Sequence, residues 1–223
     1  MPENWPCLAD RPGVKICGLN DDASVQTSIE AGADWLGFVF FERSPRHLAL
    51  DEARRLTRRA EALKGRRVGL FVKPLDDEIA RVLDVAELDI LQIYDIPERA
   101  ETLRARFARP VWLSCGISAR DDLPQITRLD GLIIEARPDD HAARPGGNGQ
   151  SFDWSLTAGW SSPAPWLLAG GLSPENVATA LAASGARAVD VSSGVESAPG
   201  KKSPELIRKF IKAARGYCLP LRN

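Results

Sequence analysis

The chain has 223 residues, 44% hydrophobic and 26% charged, with 29 basic against 30 acidic side chains and a formal net charge of −1. That length holds one sizeable core and is short for two unrelated domains. The even charge balance gives no support for nucleic acid or a membrane surface as partner, and no apolar run approaches the roughly 20 residues of a membrane span.

Short apolar runs alternate with amphipathic segments from end to end. After a polar, proline-rich leader (residues 1–13), Val14–Cys17 reads as a strand closed by Gly18, and Asp21–Ala31 as a helix. Trp35–Phe40 is a second strand, followed by the loop FERSPRHLAL and a helix from Asp51 to Leu63. Strand three is Arg67–Val72 with a helix over Asp76–Leu83, and strand four is Leu88–Ile93 with a helix over Pro97–Phe107. Val111–Cys115 is the fifth strand with a short connection, Ser118–Ile126. Gly131–Ile134 is the sixth, followed by a long polar, glycine-rich stretch. The seventh begins at Trp166, and Ser173 is read as the N-cap of a helix running Glu175–Ala183 with Pro174 at its first position. Ala188–Val191 is the eighth strand, Pro204–Ala214 a closing helix, and residues 216–223 a tail. Eight β-then-α units without an antiparallel hairpin predict an α/β fold, a single (β/α)8 barrel over residues 14–215.

In such a barrel the chemistry sits in the loops after the strands. Cys17 ends strand one, Arg46 lies in the loop after strand two, Tyr94 and Asp95 follow strand four, Glu135 ends strand six and Asp190 sits within strand eight. These side chains are expected to converge over one mouth. Beside them, Gly170-Gly171 and Ser192-Ser193-Gly194 end the last two strands with backbone and hydroxyl donors and no bulk, a concavity suited to a phosphate monoester. Cys7, Cys17, Cys115 and Cys218 form no CxxC pair, and with no signal or transit peptide in view they are expected as reduced thiols in a cytoplasmic protein. His47 and His141 have no neighbour at metal-ligand spacing, so no metal is expected.

The segments VKICGLN at 14–20, GADWLGFVFFERSPRHL at 32–48, GGNGQSFDW at 146–154, LLAGGLSPENV at 167–177 and VDVSSGVESAPGKK at 189–202 resemble the phosphoribosylanthranilate isomerase family of tryptophan biosynthesis. The resemblance implies an Amadori rearrangement without cofactor or metal, on a small phosphosugar substrate, by a monomer or homodimer. In that scheme an acid protonates the ribose ring oxygen, the ring opens to a protonated imine, and a base removes the C2′ proton before tautomerisation to the aminoketose. Cys17 inherits the base, which requires a thiol ionised more readily than a free one. Glu135 inherits the acid, Arg46 the anthranilate carboxylate, Asp190 the ribose hydroxyls, and Gly170, Gly171, Ser192, Ser193 and Gly194 the phosphate. The loop Gly146–Gly149 resembles the family's mobile loop.

The chain departs from the family at three places. Glu135 stands where the family has aspartate, Tyr94-Asp95 where it has histidine-glycine, and Ser203 where it has aspartate. Ordinary structural readings stay open for each residue: Cys17 a buried strand thiol, Arg46 a solvated loop residue, Glu135 paired with Arg137, Asp190 an inward polar residue of the barrel. A diverged isomerase of another phosphosugar and a non-catalytic phosphate-binding barrel are the alternative functions.

Overall fold

A computed structural model describes residues 11–137, 146, 149 and 151–219. Eight parallel strands close on themselves in sequence order: β1 (Gly13–Cys17), β2 (Trp35–Phe40), β3 (Arg66–Val72), β4 (Ile90–Tyr94), β5 (Val111–Ile117), β6 (Gly131–Ala136), β7 (Trp166–Leu168) and β8 (Ala188–Val191). Closure comes from β1, which pairs with β2 on one side and with β8 on the other, Lys15 lying opposite Trp35 and opposite Asp190. Around the barrel lie α1 (Asp22–Glu30), α2 (Leu50–Ala62), α3 (Asp76–Leu83), α4 (Pro97–Phe107), α5 (Val177–Ser184) and α6 (Pro204–Arg215). The strands read as unbroken apolar runs because one face meets the helices and the other fills the barrel.

Alternation along each strand separates those two faces. On β1, Val14 and Ile16 join the core shared with the helices, while Lys15 and Cys17 point inward. The barrel floor is a separate cluster of Trp35, Val68, Ile90, Trp112, Ile133, Leu167 and Ala188. Trp35 and Trp112 meet edge-on there with centroids 5.3 Å apart. Gly131 makes room for them, since a Cβ on it would stand 2.7 Å from the Trp112 ring. The helices bury one stripe each. On α6 it is Ile207, Phe210, Ile211 and Ala214, the spacing of a single helical face. Ser203 caps that helix by accepting from Leu206 N–H at 3.3 Å, so serine performs the capping that an aspartate would.

The structure corrects the predicted elements in several places, and strands five and six each run two residues further, to Ile117 and Ala136. Strand four begins at Ile90 rather than Leu88 and includes Tyr94, because the Asp89 carboxylate is engaged by the Arg67 backbone N–H and guanidinium at the strand's entrance. Helix α5 begins at Val177 rather than Glu175. Pro174–Asn176 form a turn in which Asn176 accepts from Ser173 N–H and donates to the Gly171 carbonyl. Two of the eight crossovers carry no α-helix among the described residues. After β5 the Asp122 carboxylate gathers Ser118 and Ala119 into a single 3-10 turn (Arg120–Asp122), and before β7 the only helical residues are the 3-10 turn Trp154–Thr157. Finally, a small antiparallel pair, β9 (Glu196–Ala198) and β10 (Lys201–Lys202), follows β8 where no hairpin was expected. Pro199-Gly200 makes its turn, with Gly200 at φ +78°.

Trp112 fills the floor from the centre, so Trp112→Ala should cost about 3–5 kcal/mol by urea denaturation. A cost below about 1 kcal/mol would mean that the floor collapses around the loss and is not a packed layer.

Candidate active site

The inward positions above the floor are polar on several strands, and the register brings them together. β1 supplies Lys15 and Cys17, β4 Gln92 and Tyr94, β5 Ser114, β6 Glu135 and β8 Asp190. Cys17, Tyr94, Glu135 and Asp190 line one pocket with Arg46, Gly146, Gly149, Gly170, Gly171, Ser192 and Ser193. The expected site residues therefore meet at one mouth, with Gly194 directly behind it.

Lys15 has no exposed surface, and its Nζ lies 3.0 Å from Asp190 Oδ1 across the β1–β8 seam. Burial pulls the ammonium down, but Asp190 and the Cys17 thiol outweigh it and hold Lys15 above the usual lysine value. Cys17 is shifted in the direction opposite to the one expected. Burial pushes its thiol up, Lys15 and Lys202 pull it down, Asp190 pushes it up, and the net shift is upward. Gly37 on β2 makes the space for this group, since a Cβ there would stand 2.9 Å from Cys17 Sγ and 3.1 Å from Lys15 Nζ.

Glu135 is 5% exposed, and its Oε1 is buried without a hydrogen-bond partner. It is not paired with Arg137, which bonds Asp122 Oδ1 at 2.8 Å. Burial raises its carboxyl to about 8; a hydrogen bond from Tyr94 lowers it, Asp190 raises it and Lys15 lowers it. Asp95 is not such a neighbour, for its carboxylate accepts from the Ile96 N–H and does not line the pocket. The neighbouring charge is that of Asp190. Tyr94 is held well above the ordinary phenol value by burial and by Glu135, so it is a donor and not a base.

Arg46 is not a solvated loop residue. It is 4% exposed, and its Nε and Nη2 bind the two oxygens of Glu196 at 2.6 and 2.9 Å. Lys202 Nζ reaches Glu196 Oε1 at 2.8 Å and the Ser192 carbonyl at 2.9 Å. The β9–β10 hairpin thus sets a carboxylate and an ammonium against Arg46 and Ser192, which line the pocket. Glu196 is held low despite its burial, because the Arg46 and Lys202 charges exceed the desolvation penalty.

The two small-residue turns adjoin. Gly170 and Gly171 have φ +83° and +63°, conformations that side chains other than glycine resist. A Cβ on Gly194 would stand 1.9 Å from the Leu172 carbonyl, so the turns after β7 and β8 touch only because that side chain is absent. Gly149 lies over Ser193; Gly147 and Asn148 of the same loop fall outside the described residues, as do Cys7 and His141. Among the described residues no group of three or more His, Cys, Asp or Glu side chains is placed to hold a metal ion, and no helix is long and apolar enough to cross a membrane.

The family profile described as N-(5'phosphoribosyl)anthranilate (PRA) isomerase matches residues 14–213. The chain is 52% identical over 201 residues to the N-(5'-phosphoribosyl)anthranilate isomerase of Acidiphilium cryptum, covering 90% of this chain and 97% of that one. To the protein of the same name from Granulibacter bethesdensis it is 54% identical over 205 residues, covering 91% and 97%. Among solved structures, phosphoribosyl anthranilate isomerase from Thermotoga maritima superposes with a TM-score of 0.77 at 32% identity, over 92% of this chain and 99% of that one. A phosphoribosyl anthranilate isomerase in complex with reduced 1-(o-carboxyphenylamino)-1-deoxyribulose 5-phosphate does so with a TM-score of 0.76 at 31% identity, over the same 92% and 99%.

Removing Lys15 alone strands the Asp190 carboxylate in the interior. Lys15→Met should therefore cost about 3–5 kcal/mol in urea denaturation, and Lys15→Met with Asp190→Leu should regain most of the loss. Equal stability of the single and double variants would mean that the two charges are not coupled.

Proposed function

The chain belongs to the N-(5'-phosphoribosyl)anthranilate isomerase family, and from that premise we propose that Cys17 and Glu135 are the base and the acid of the family's Amadori rearrangement. The enzyme converts N-(5-phosphoribosyl)anthranilate into 1-(2-carboxyphenylamino)-1-deoxyribulose 5-phosphate. The observation that carries the assignment of roles is the pair itself, a thiol ending β1 and a buried carboxyl on β6, lining one pocket beside the glycine-serine turns.

Glu135 enters the reaction as a carboxylic acid because burial keeps its proton at neutral pH. That proton goes to the ribose ring oxygen, the C1′–O bond breaks, and the nitrogen lone pair forms the imine. The thiolate of Cys17 takes the C2′ proton, the electron pair moves into the enamine, and tautomerisation gives the aminoketose. Lys15 beside the thiol stabilises its ionised form. Asp190, held by Lys15, meets the ribose hydroxyls. The backbone of Gly170, Gly171, Ser192, Ser193 and Gly194 receives the phosphate, the role helix-free donor turns are suited to. Arg46 meets the anthranilate carboxylate with its orientation fixed by Glu196.

Three outcomes follow. Cys17→Ala and Glu135→Gln should each lower turnover of phosphoribosylanthranilate by several powers of ten, and either variant retaining most activity would remove that residue from the mechanism. Because both groups titrate high, log kcat/KM should climb with roughly unit slope from about pH 6 toward the Glu135 midpoint of about 8. The base then ionises after the acid in solution, so the productive form is a minority and grows with pH. A flat or falling profile over that range would contradict the assignment. Gly194→Ala, which forces the two turns apart, should weaken binding of ribose 5-phosphate at least tenfold by calorimetry; unchanged affinity would place the phosphate elsewhere.

A further inference from the structure

A guanidinium carries five N–H groups in one rigid plane, so fixing two of them fixes where the other three point. Glu196 takes one on Nε and one on Nη2 of Arg46, at 2.6 and 2.9 Å. The end-on edge, both N–H groups of Nη1 and the second of Nη2, is left free among the described residues, and Arg46 lines the pocket. Glu196 has no acceptor capacity to spare. Its Oε1 also accepts from Lys202 Nζ at 2.8 Å and its Oε2 from the Gly200 N–H at 3.2 Å, which fills the positions a carboxylate offers. Lys202 is equally committed. Its side chain has no exposed surface, and its three N–H groups go to Glu196, to the Ser192 carbonyl at 2.9 Å and to Ser192 Oγ at 3.3 Å. No proton of Lys202 is left for a ligand. The hairpin turn is seated as well, for Asn20 donates to the Gly200 carbonyl at 2.8 Å and a Cβ on Gly200 would stand 2.4 Å from the Pro45 carbonyl.

We propose that Glu196 and Lys202 are positioning residues that set substrate specificity: Glu196 aims the free edge of Arg46 into the pocket, and Lys202 holds that edge at a fixed separation from the turn after β8. The site thereby selects ligands whose carboxylate and phosphate stand at that separation. The inference rests on Arg46 meeting the substrate carboxylate and on the turns after β7 and β8 meeting its phosphate; what it adds is the link between the two. That link is short, running from guanidinium to carboxylate to ammonium to the Ser192 carbonyl in bonds of 2.6, 2.8 and 2.9 Å. The Ser192 hydroxyl extends it by donating to the Cys17 carbonyl at 3.1 Å, which anchors it to β1. Stability alone does not call for such a group, because a buried ion cluster can be exchanged for apolar side chains without loss. A phosphosugar with an uncharged aryl group loses the Arg46 contact, and one with its carboxylate on a longer or shorter arm reaches a single subsite.

The test is calorimetry with ribose 5-phosphate, with reduced 1-(o-carboxyphenylamino)-1-deoxyribulose 5-phosphate, and with the phenylamino compound that lacks the carboxyl group. The wild type should bind the carboxylated compound at least about tenfold more tightly than its carboxyl-free counterpart. Glu196→Gln removes a negative charge beside the pocket, so a purely electrostatic Glu196 predicts tighter binding of every ligand. Positioning predicts the opposite for one of them, a loss of about tenfold for the carboxylated compound with the other two within about threefold. Lys202→Met removes a positive charge, and a purely electrostatic Lys202 predicts weaker binding of every ligand. Positioning again confines the loss, about tenfold, to the carboxylated compound, because ribose 5-phosphate reaches only the backbone of the turns. A carboxylate preference left intact in either variant, or a uniform change across the ligands, overturns the proposal. Should one variant fail to fold, the other decides by the same comparison. A wild type without the preference removes the Arg46 assignment and the proposal together, whereas a preference that the wild type and the variants share leaves the assignment standing and overturns the proposal alone.

Discussion

Closing a barrel this small forces alternate residues of every strand into a space without water, so any charge placed there must be neutralised at once. The Lys15–Asp190 pair across the β1–β8 seam is the answer to that constraint. It joins the first strand to the last, and its charges act on both Cys17 and Glu135. An apolar pair of the same volume would serve closure as well or better, because desolvating two ions roughly cancels their attraction. Its retention is therefore better explained by what it does to Cys17 and Glu135, both of which feel it.

Charge is arranged in two shells. In the inner one Lys15 cancels Asp190, while Cys17, Tyr94 and Glu135 are all pushed toward their protonated, uncharged forms. The outer one, Arg46 and Lys202 around Glu196, carries two positive charges against one negative. A substrate with a phosphate and a carboxylate meets positive charge at the rim and a nearly neutral interior. Glu196 subtracts from the attraction, but it holds two long cationic side chains in one geometry, which an unpaired arginine and lysine would not keep.

The barrel was legible because continuous apolar runs are what a parallel sheet buried on both faces demands, and β2, α3 and α4 fall at the expected residues. The misses occur where a local side chain decided a boundary. Asp89 delays β4, Asp122 winds a turn where a helix would otherwise start, and Asn176 diverts the entry to α5 toward Gly171. Cys17, Glu135 and Asp190 could be found because they stand at or near strand ends. Lys15 could not, since a lysine inside VKIC reads as a lapse in an apolar run until its partner on β8 is beside it. Glu196 and Lys202 were hidden for a related reason. Their hairpin has only three and two residues per strand, too short for any alternation to register. Tyr94 was visible as an oddity, and only the closed barrel sets it beside Glu135 in the pocket lining.

The upward shift of the Cys17 thiol follows from the same seam. One ammonium nearby would ordinarily favour a thiolate, as helix termini and basic neighbours do elsewhere. Here the ammonium of Lys15 is already compensated by Asp190, and Asp190 itself repels the thiolate. What remains is burial, which disfavours the charged form. On the proposed roles, Glu135 is governed by the same rule with the opposite benefit, for burial favours the proton the acid must donate and disfavours the charge the base must use. A water-poor pocket that favours neutral forms thus prepares one catalytic group and holds back the other. The narrow population in which both are correctly protonated is the consequence of housing an acid and a base on facing strands of one small barrel.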